Sequence, residues 1–108
     1  MYALNLFDLA DNADYLAYSK RSPAAVARHG GRVVALGHRG AELVPGATPA
    51  RAALVLVEWP DAAAIQAYRD DPDCADLHPL REGGTLNYLW WMFEKLEDLR
   101  PLLKPSHT

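Results

Sequence analysis

The sequence predicts a single α+β domain whose elements follow the order strand, helix, strand, strand, helix, strand. Three observations support this fold class. Four short apolar runs have the length of strands, helical segments separate them, and Gly-Gly and Asp-Pro pairs mark where helices end. At 108 residues the chain has the usual size of one domain and is too short for a second hydrophobic core.

The first strand and the first helix are predicted near the amino terminus. Residues 2–7 are rich in strand formers and end at Asp8. A helix is expected over residues 12–29, because Gly30-Gly31 behind it suits the left-handed geometry that ends many helices. Pro23 lacks an amide hydrogen and crowds the preceding turn, so we expect one bent helix or two short ones.

The middle of the chain predicts a hairpin and a second helix. Residues 32–38 and 51–59 have strand character, and Pro45-Gly46 between them is a turn signal. The second of these strands is apolar at consecutive positions, which is typical of a strand covered on both faces. A helix should then begin at Pro60-Asp61 and end at Asp71-Pro72.

The carboxyl-terminal part predicts a last strand and a tail. After Gly83-Gly84, residues 85–93 are aromatic and β-branched, which favours a strand, although a helix over residues 89–99 is an alternative. We assign residues 1–95 to the domain and residues 96–108 to a tail that contains a short helix.

Composition and charge exclude several classes of protein. Eleven Lys and Arg against fourteen Asp and Glu give a net charge of -3, so we expect no nucleic-acid partner. No apolar run approaches the roughly 20 residues that a membrane-spanning helix needs. The amino terminus lacks the pattern of an export signal, and Cys74 is the only cysteine, so a cytoplasmic protein is expected.

A set of motifs in fixed order carries a family resemblance. They are Tyr15 and Tyr18, His29-Gly30-Gly31, Glu42 to Gly46, Val57 to Asp61, and Tyr68 to Arg81. In this order they resemble an uncharacterised bacterial family of the dimeric α/β-barrel superfamily, related to antibiotic-biosynthesis monooxygenases, EthD-like proteins and polyketide cyclases. The resemblance covers roughly residues 2–93, and the sequence departs from it after Asn87, where it is unusually aromatic.

The resemblance implies a ferredoxin-like βαββαβ fold, with a four-stranded antiparallel sheet and helices on one face. It also implies a homodimer in which two sheets pack into a dimeric α/β barrel. Each subunit would then hold a small-molecule cleft between its helices and its own sheet.

Three residues are candidates for catalysis, each with a simpler alternative. His29 at a helix end is a candidate acid or base, or only a helix cap. His38 at the end of the second strand is a second candidate, or a solvated side chain. Arg81 is the candidate anion contact, or a surface arginine paired with Asp76 or Glu82.

Polar and aromatic residues are candidates for substrate binding. Asn5 and Asn87 interrupt neighbouring apolar strands, so they either bond to each other or face a ligand. His78 would join Arg81 in a cationic pair. The aromatic candidates, which could instead form core or dimer interface, are Tyr18, Tyr68, Tyr88, Trp90 and Trp91.

The sequence favours a cofactor-independent enzyme of small-molecule metabolism, with secondary metabolism as one setting. It carries no phosphate loop, no nucleophile elbow and no His and Cys spacing typical of zinc, so we expect neither cofactor nor metal. The substrate class would be carbonyl-containing, aromatic or polyketide-like, and the reaction a cyclisation, isomerisation or oxygenation by acid/base chemistry. A non-catalytic dimeric binding protein and a haem-binding barrel are the alternatives.

Overall fold

The computed structural model describes residues 1–40, 43 and 51–94. The strands are β1 (Tyr2–Leu9), β2 (Arg32–His38), β3 (Ala53–Glu58) and β4 (Thr85–Phe93). The helices are α1 (Asp14–Arg28), α2 (Ala62–Asp70) and α3 (Leu77–Gly84), with a short 3-10 turn at Pro72–Cys74. The predicted order of strands and helices is confirmed, and the 3-10 turn and the short helix α3 lie between α2 and β4.

The four strands form one antiparallel sheet in the order β2-β3-β1-β4. The first strand lies in the middle of the sheet and pairs with β3 on one side and β4 on the other. Alternate residues of β1 are buried, so Ala3, Asn5 and Phe7 share one face. The register places Asn5 opposite Val55 and Trp90, which therefore lie on that same face.

The helices cover this face and form the core with it. Ala3 and Val57 of the sheet pack in one cluster with residues from all three helices and the 3-10 turn. The helical members of that cluster are Ala25, Val26, Ile65, Tyr68, Cys74 and Leu77. The opposite face of the sheet carries no helix among the described residues.

Local sequence explains the ends of the helices. At the start of α2 the Asp61 side chain accepts a hydrogen bond from the Ala64 amide at 2.8 Å, as predicted for a capping residue. At the end of α1, Gly30 has a φ of 81° and begins the exit from the helix. A Cβ at this position would approach the Pro60 side chain to 2.9 Å.

Pro23 and the Gly83-Gly84 pair, which were expected to interrupt or end helices, lie within helices. Pro23 is exposed on α1, which is one continuous helix rather than two. Gly83 and Gly84 do not follow α3 but form its last turn. The turn at Pro45-Gly46 and the tail over residues 96–108 lie outside the described residues.

Candidate active site

A cavity of about 550 Å³ lies between α1 and the helix-facing side of the sheet. This volume is within the range of small-molecule sites. Its walls are mostly aliphatic and aromatic, with Tyr68 contributed by α2 and Arg81 by α3. Other lining residues are Asn5, Phe7, Tyr15, Tyr18, Ser19, Ser22, Trp59, Tyr88 and Trp90.

Asn5 is held in place from two sides. Its side-chain amide nitrogen donates to the Val55 carbonyl at 3.2 Å. Its carbonyl oxygen accepts a hydrogen bond from the Tyr88 hydroxyl. Burial raises the pKa of Tyr88 above its ordinary value, with the nearby Tyr18 adding to the effect, so Tyr88 stays a protonated donor at neutral pH.

Two hydrogen-bond donors in the cavity wall lack a partner. The indole nitrogen of Trp59 and the hydroxyl of Tyr68 are buried and form no hydrogen bond within the described chain. The two rings pack against each other, with centroids 5.5 Å apart. Burial raises the pKa of Tyr68 far above its ordinary value, and Tyr18 raises it further, so this hydroxyl also keeps its proton. Neither atom is exposed to solvent, so a ligand oxygen could accept from one of them only if neighbouring side chains moved.

Arg81 brings a positive charge to the cavity. Its guanidinium carbon lies 4.9 Å from the centre of the Trp90 ring and 5.6 Å from that of Tyr88. No carboxylate in the described residues forms an ion pair with Arg81. The partner suggested by the sequence, Asp76, is instead paired with Arg21.

The lining is electrostatically one-sided. Among the described residues that line the cavity, Arg81 is the only charged group, and no histidine, lysine, aspartate or glutamate accompanies it. The guanidinium of Arg81 only donates hydrogen bonds, and the Asn5 oxygen is already bonded to Tyr88. An isolated positive charge among apolar walls favours negative charge on a bound molecule.

Six of the residues selected from sequence meet in this cavity. They are Asn5, Tyr18, Tyr68, Arg81, Tyr88 and Trp90. Trp59, Tyr15, Ser19 and Ser22 also line it but were missed as site residues. Trp59 was noticed only as part of a family motif. Its position directly after β3 was the signal that could have indicated a role at the rim of the sheet.

His29 lies outside the lining, at the end of α1. Its Nε2 is 2.8 Å from Oδ2 of Asp71, and this hydrogen bond lowers the pKa of the Asp71 carboxyl. The Cys74 thiol also donates to Asp71 at 3.6 Å. The His29 ring meets the edge of Tyr68, with centroids 6.1 Å apart, so it supports the cavity wall from behind.

The other two histidine candidates also lie outside the lining. His38 is exposed at the end of β2, in agreement with the solvated alternative. His78 Nε2 lies 3.1 Å from the Arg69 carbonyl oxygen, and the ring packs edge-on against Tyr68. His78 and Arg81 therefore do not form a cationic pair that faces the cavity.

Asn87 and Trp91 do not line the cavity. Asn87 adopts a φ of 54° at an irregularity in the pairing of β1 with β4, and its amide donates to Asp8 at 3.0 Å. The suggested bond between Asn5 and Asn87 is wrong, because each amide has a different partner. Trp91 pairs with Leu4, which places it on the sheet face opposite Trp90.

Several solved structures resemble this chain. A protein of unknown function from Rhodopseudomonas palustris superposes with a TM-score of 0.78 at 22% identity, covering 90% of this chain and 82% of that one. SnoaB, a cofactor-independent oxygenase from Streptomyces nogalater, gives a TM-score of 0.58 at 14% identity, over 89% of this chain and 94% of SnoaB. At these identities the likeness concerns the fold alone.

A third similar structure has a fold that is described by name. A dimeric protein of unknown function with a ferredoxin-like fold, from Bacteroides fragilis, gives a TM-score of 0.52 at 12% identity, over 87% of this chain and 94% of that one. The ferredoxin-like prediction is thereby confirmed for this chain. No curated protein matches the sequence significantly. In the part of the chain that the structure describes, no helix combines the length and apolarity needed to cross a membrane.

A family model matches residues 1–92, from the start of the chain almost to the end of β4. The matched span contains all the elements that build the cavity, including the aromatic β4 positions at which the sequence departs from the expected pattern. The expectation of an uncharacterised family is confirmed in this coarser form. The chain belongs to the family described as DUF1330, a domain of unknown function.

Proposed function

We propose that this protein is a small cofactor-independent enzyme that stabilises negative charge on an oxygen of an aromatic or carbonyl-containing molecule. The observation that carries the proposal is Arg81, which is the only charged group among the described lining residues of an apolar cavity of about 550 Å³. Secondary metabolism is the proposed setting, and the cytoplasm the proposed location.

The walls define the body of the ligand. Phe7, Tyr15, Tyr88 and Trp90 line the cavity, and ring contacts link Phe7 to Tyr15 and Tyr88 at 5.0 and 5.4 Å between centroids. Such walls bind flat apolar molecules through area burial and ring stacking. A planar molecule of one to three fused rings is therefore the proposed substrate class.

The donors define the polar end of the ligand. Arg81 offers a permanent charge, and Tyr68 and Trp59, which also line the cavity, each hold a buried donor without a partner in the described chain. A phenol, an enol or an acidic ketone supplies acceptor oxygens and gains stability as its anion in this environment. The cavity would lower the pKa of such a ligand by favouring its deprotonated form.

The described lining holds no histidine or carboxylate that could serve as a base. The function we propose therefore relies on the acidity of the ligand. An O–H or C–H bond of the ligand breaks, its proton passes to water, and the electron pair stays on the ligand as a phenolate or enolate. That anion can tautomerise, cyclise or react with dioxygen. The name of SnoaB, a cofactor-independent oxygenase on the same fold, supports this reading.

The test uses two arginines that contact the same ring. Arg81 and Arg69 both lie over Trp90, at 4.9 and 5.5 Å, but only Arg81 lines the cavity. We expect Arg81→Met to weaken binding of polycyclic phenols at least about tenfold and Arg69→Met to leave it unchanged. Ultraviolet spectra should show the phenolate form of the bound ligand in wild type. Equal affinities of wild type and Arg81→Met would contradict the proposal.

A non-catalytic binding protein is the second candidate. It is favoured by the absence of a histidine or carboxylate from the described lining. Saturable binding of the phenolate, with no product detected by mass spectrometry in air and without it, would support this candidate over the enzyme. A haem protein has less support, because no described histidine or cysteine lines the cavity as an axial ligand.

We also propose that the protein acts as a homodimer through the helix-free face of its sheet. On that face Leu4 lies between Leu56 and Trp91, and Tyr2 packs against Phe93 at 5.7 Å between ring centroids. Trp91 and Phe93 are 59% and 44% exposed. Apolar exposure of this kind marks an interaction surface. The dimer named for the Bacteroides fragilis structure supports a second copy as the occupant.

A further inference from the structure

A second cluster of reactive side chains lies outside the cavity, where the end of α1 meets the segment after α2. His29 follows α1, Asp71 follows α2, and Cys74 ends the 3-10 turn. One potential ligand atom from each lies within 4.8 Å of the others. We propose that His29, Asp71 and Cys74 form a binding site for a divalent metal ion of zinc-like preference.

The chemistry of the three groups favours zinc. An imidazole nitrogen, a carboxylate oxygen and a thiolate sulfur are the three ligand types that zinc takes in proteins. Hard cations such as Mg²⁺ and Ca²⁺ select oxygen ligands and would not use the sulfur. With a neutral imidazole, one carboxylate and one thiolate, the charge of Zn²⁺ is balanced. Binding transfers the thiol proton of Cys74 to water.

Two of the three distances between ligand atoms are close to those of a zinc site, and the third, from Nε2 of His29 to Sγ of Cys74, is within 4.8 Å and would have to be about 3.6 Å. Zinc bonds of about 2.0 to 2.3 Å in a tetrahedral arrangement place ligand atoms about 3.4 to 3.6 Å apart. Sγ of Cys74 already lies 3.6 Å from Oδ2 of Asp71. Nε2 of His29 lies 2.8 Å from the same oxygen and must move outward by about 0.6 Å. A short hydrogen bond between two ligands is replaced by two bonds to the metal.

Burial leaves the site open on one side. Cys74 is fully buried, whereas the side chains of His29 and Asp71 are 19% and 17% exposed. A metal would therefore reach the cluster from the side of His29 and Asp71, and water would complete a fourth coordination position.

Arg28 places a positive charge next to the proposed metal site. Its Nη2 lies 3.1 Å from Sγ of Cys74. A guanidinium at this position donates to the sulfur, and a metal-bound thiolate accepts such a hydrogen bond as well. Because Arg28 is exposed, it can also turn toward solvent when the cation arrives.

The metal would stabilise the cavity wall from behind. The rings of His29 and Tyr68 pack edge to face, Tyr68 lines the cavity, and His29 and Asp71 join α1 to the end of α2. The spacing along the chain gives no sign of this site, because His29 and Asp71 are 42 positions apart. The fold creates the site, and it does not depend on the function proposed for the cavity.

The presence of one cysteine makes the test specific. Cobalt(II) replaces zinc and gives an ultraviolet sulfur-to-metal charge-transfer band only when a thiolate is bound, so in this chain the band reports on Cys74 alone. Untagged protein should bind one cobalt ion with this band and with the visible bands of tetrahedral cobalt. Zinc should displace the cobalt and raise the midpoint temperature of unfolding.

Conservative variants complete the experiment. Asp71→Asn keeps a side-chain oxygen that can cap the 3-10 turn, and His29→Gln keeps a polar side chain of similar length, so both should fold. Each should weaken cobalt binding more than about tenfold, while the exposed His38→Gln variant should bind as wild type does. No charge-transfer band in wild type, or a band that both variants retain, would overturn the proposal. Cobalt binding lost only in His38→Gln would identify surface coordination instead.

Discussion

Arg81 stacks over Trp90, with its guanidinium carbon 4.9 Å from the centre of the indole ring. This contact orients a charge that no described carboxylate neutralises. A contact between a cation and an aromatic ring contributes about 0.5 to 2 kcal/mol, depending on how much water is excluded. The ring therefore holds Arg81 at the cavity without cancelling its charge.

A lysine at position 81 separates the effect of charge from that of shape. Arg81→Lys keeps the positive charge but loses the planar group that stacks on Trp90. We expect its affinity for an anionic polycyclic phenol to lie between the affinities of wild type and Arg81→Met. Calorimetric titration of all three proteins measures this order. If the lysine variant bound as weakly as the methionine variant, geometry rather than charge would determine binding.

The hydrogen bond between Tyr88 and Asn5 should contribute to stability as well as to the site. Tyr88→Phe leaves the buried carbonyl oxygen of Asn5 without this donor, and the expected loss is about 1 to 2 kcal/mol of unfolding free energy. Urea unfolding measures the loss. Tyr2→Phe is the matched control, because Tyr2 packs on Phe93 through its ring, and a change below about 0.5 kcal/mol is expected.

Much of the fold could be predicted because its signals are local. The strand-forming residues of β1 and the aromatic run of β4 give strands at nearly the observed bounds, and Asp61 caps α2 as its residue type predicts. Pro23 shows the limit of this reasoning. A proline removes one helical hydrogen bond and crowds the preceding turn, yet α1 continues through Pro23, so residue type alone does not decide where this helix ends.

The site could be predicted only in part, for a related reason. Residue type selected Arg81 for its charge, Tyr68 for its aromatic ring and Asn5 as a polar residue in an apolar strand. All three line the cavity. The histidines were selected for their chemistry, but whether a side chain faces the cavity depends on the register and on helix packing. His29, for example, turns toward Asp71, 42 positions later in the chain. Sequence alone does not reveal such a partner.

Gly84 should tolerate no side chain. A Cβ there would lie 2.5 Å from the backbone nitrogen of Tyr15 and 2.8 Å from its Cα, so α1 and α3 would have to separate. We expect Gly84→Ala to lose at least about 2 kcal/mol of unfolding free energy, measured in urea. Gly83→Ala is the control in the same helix turn. Its Cβ meets only the flexible carboxylate of Asp14 at 2.7 Å, so stability should change by less than about 1 kcal/mol.

The proposed dimer can be tested at Trp91. We expect Trp91→Lys to convert the dimer into a monomer at micromolar concentration, because a charge would be placed in an apolar interface. Analytical ultracentrifugation measures the change. Leu16→Lys is the matched control: Leu16 and Trp91 are each 59% exposed, but Leu16 lies on α1. A wild-type monomer, or a Trp91→Lys dimer of unchanged affinity, would argue against the helix-free face as the interface.

The buried tyrosines predict how stability depends on alkaline pH. Burial raises the pKa values of Tyr15, Tyr68 and Tyr88 above the ordinary value of 10.0. The unfolded chain then loses these protons at lower pH than the folded chain does. The three protonated tyrosines therefore contribute fully to the free energy of unfolding below about pH 9. Their contribution falls as the pH rises through 10 toward the pKa values of the folded chain.

Removing one of these tyrosine hydroxyls should reduce the loss of stability at alkaline pH. Tyr68→Phe deletes a hydroxyl that has no hydrogen-bond partner in the described chain, so it should cost little unfolding free energy at pH 8. Between about pH 9 and pH 11 its stability should fall less steeply than that of wild type, because one ionising group is absent. Guanidinium unfolding at several pH values measures both slopes. Parallel slopes would show that Tyr68 ionises equally readily in the folded and unfolded chains, and would contradict its burial as a protonated donor in the cavity.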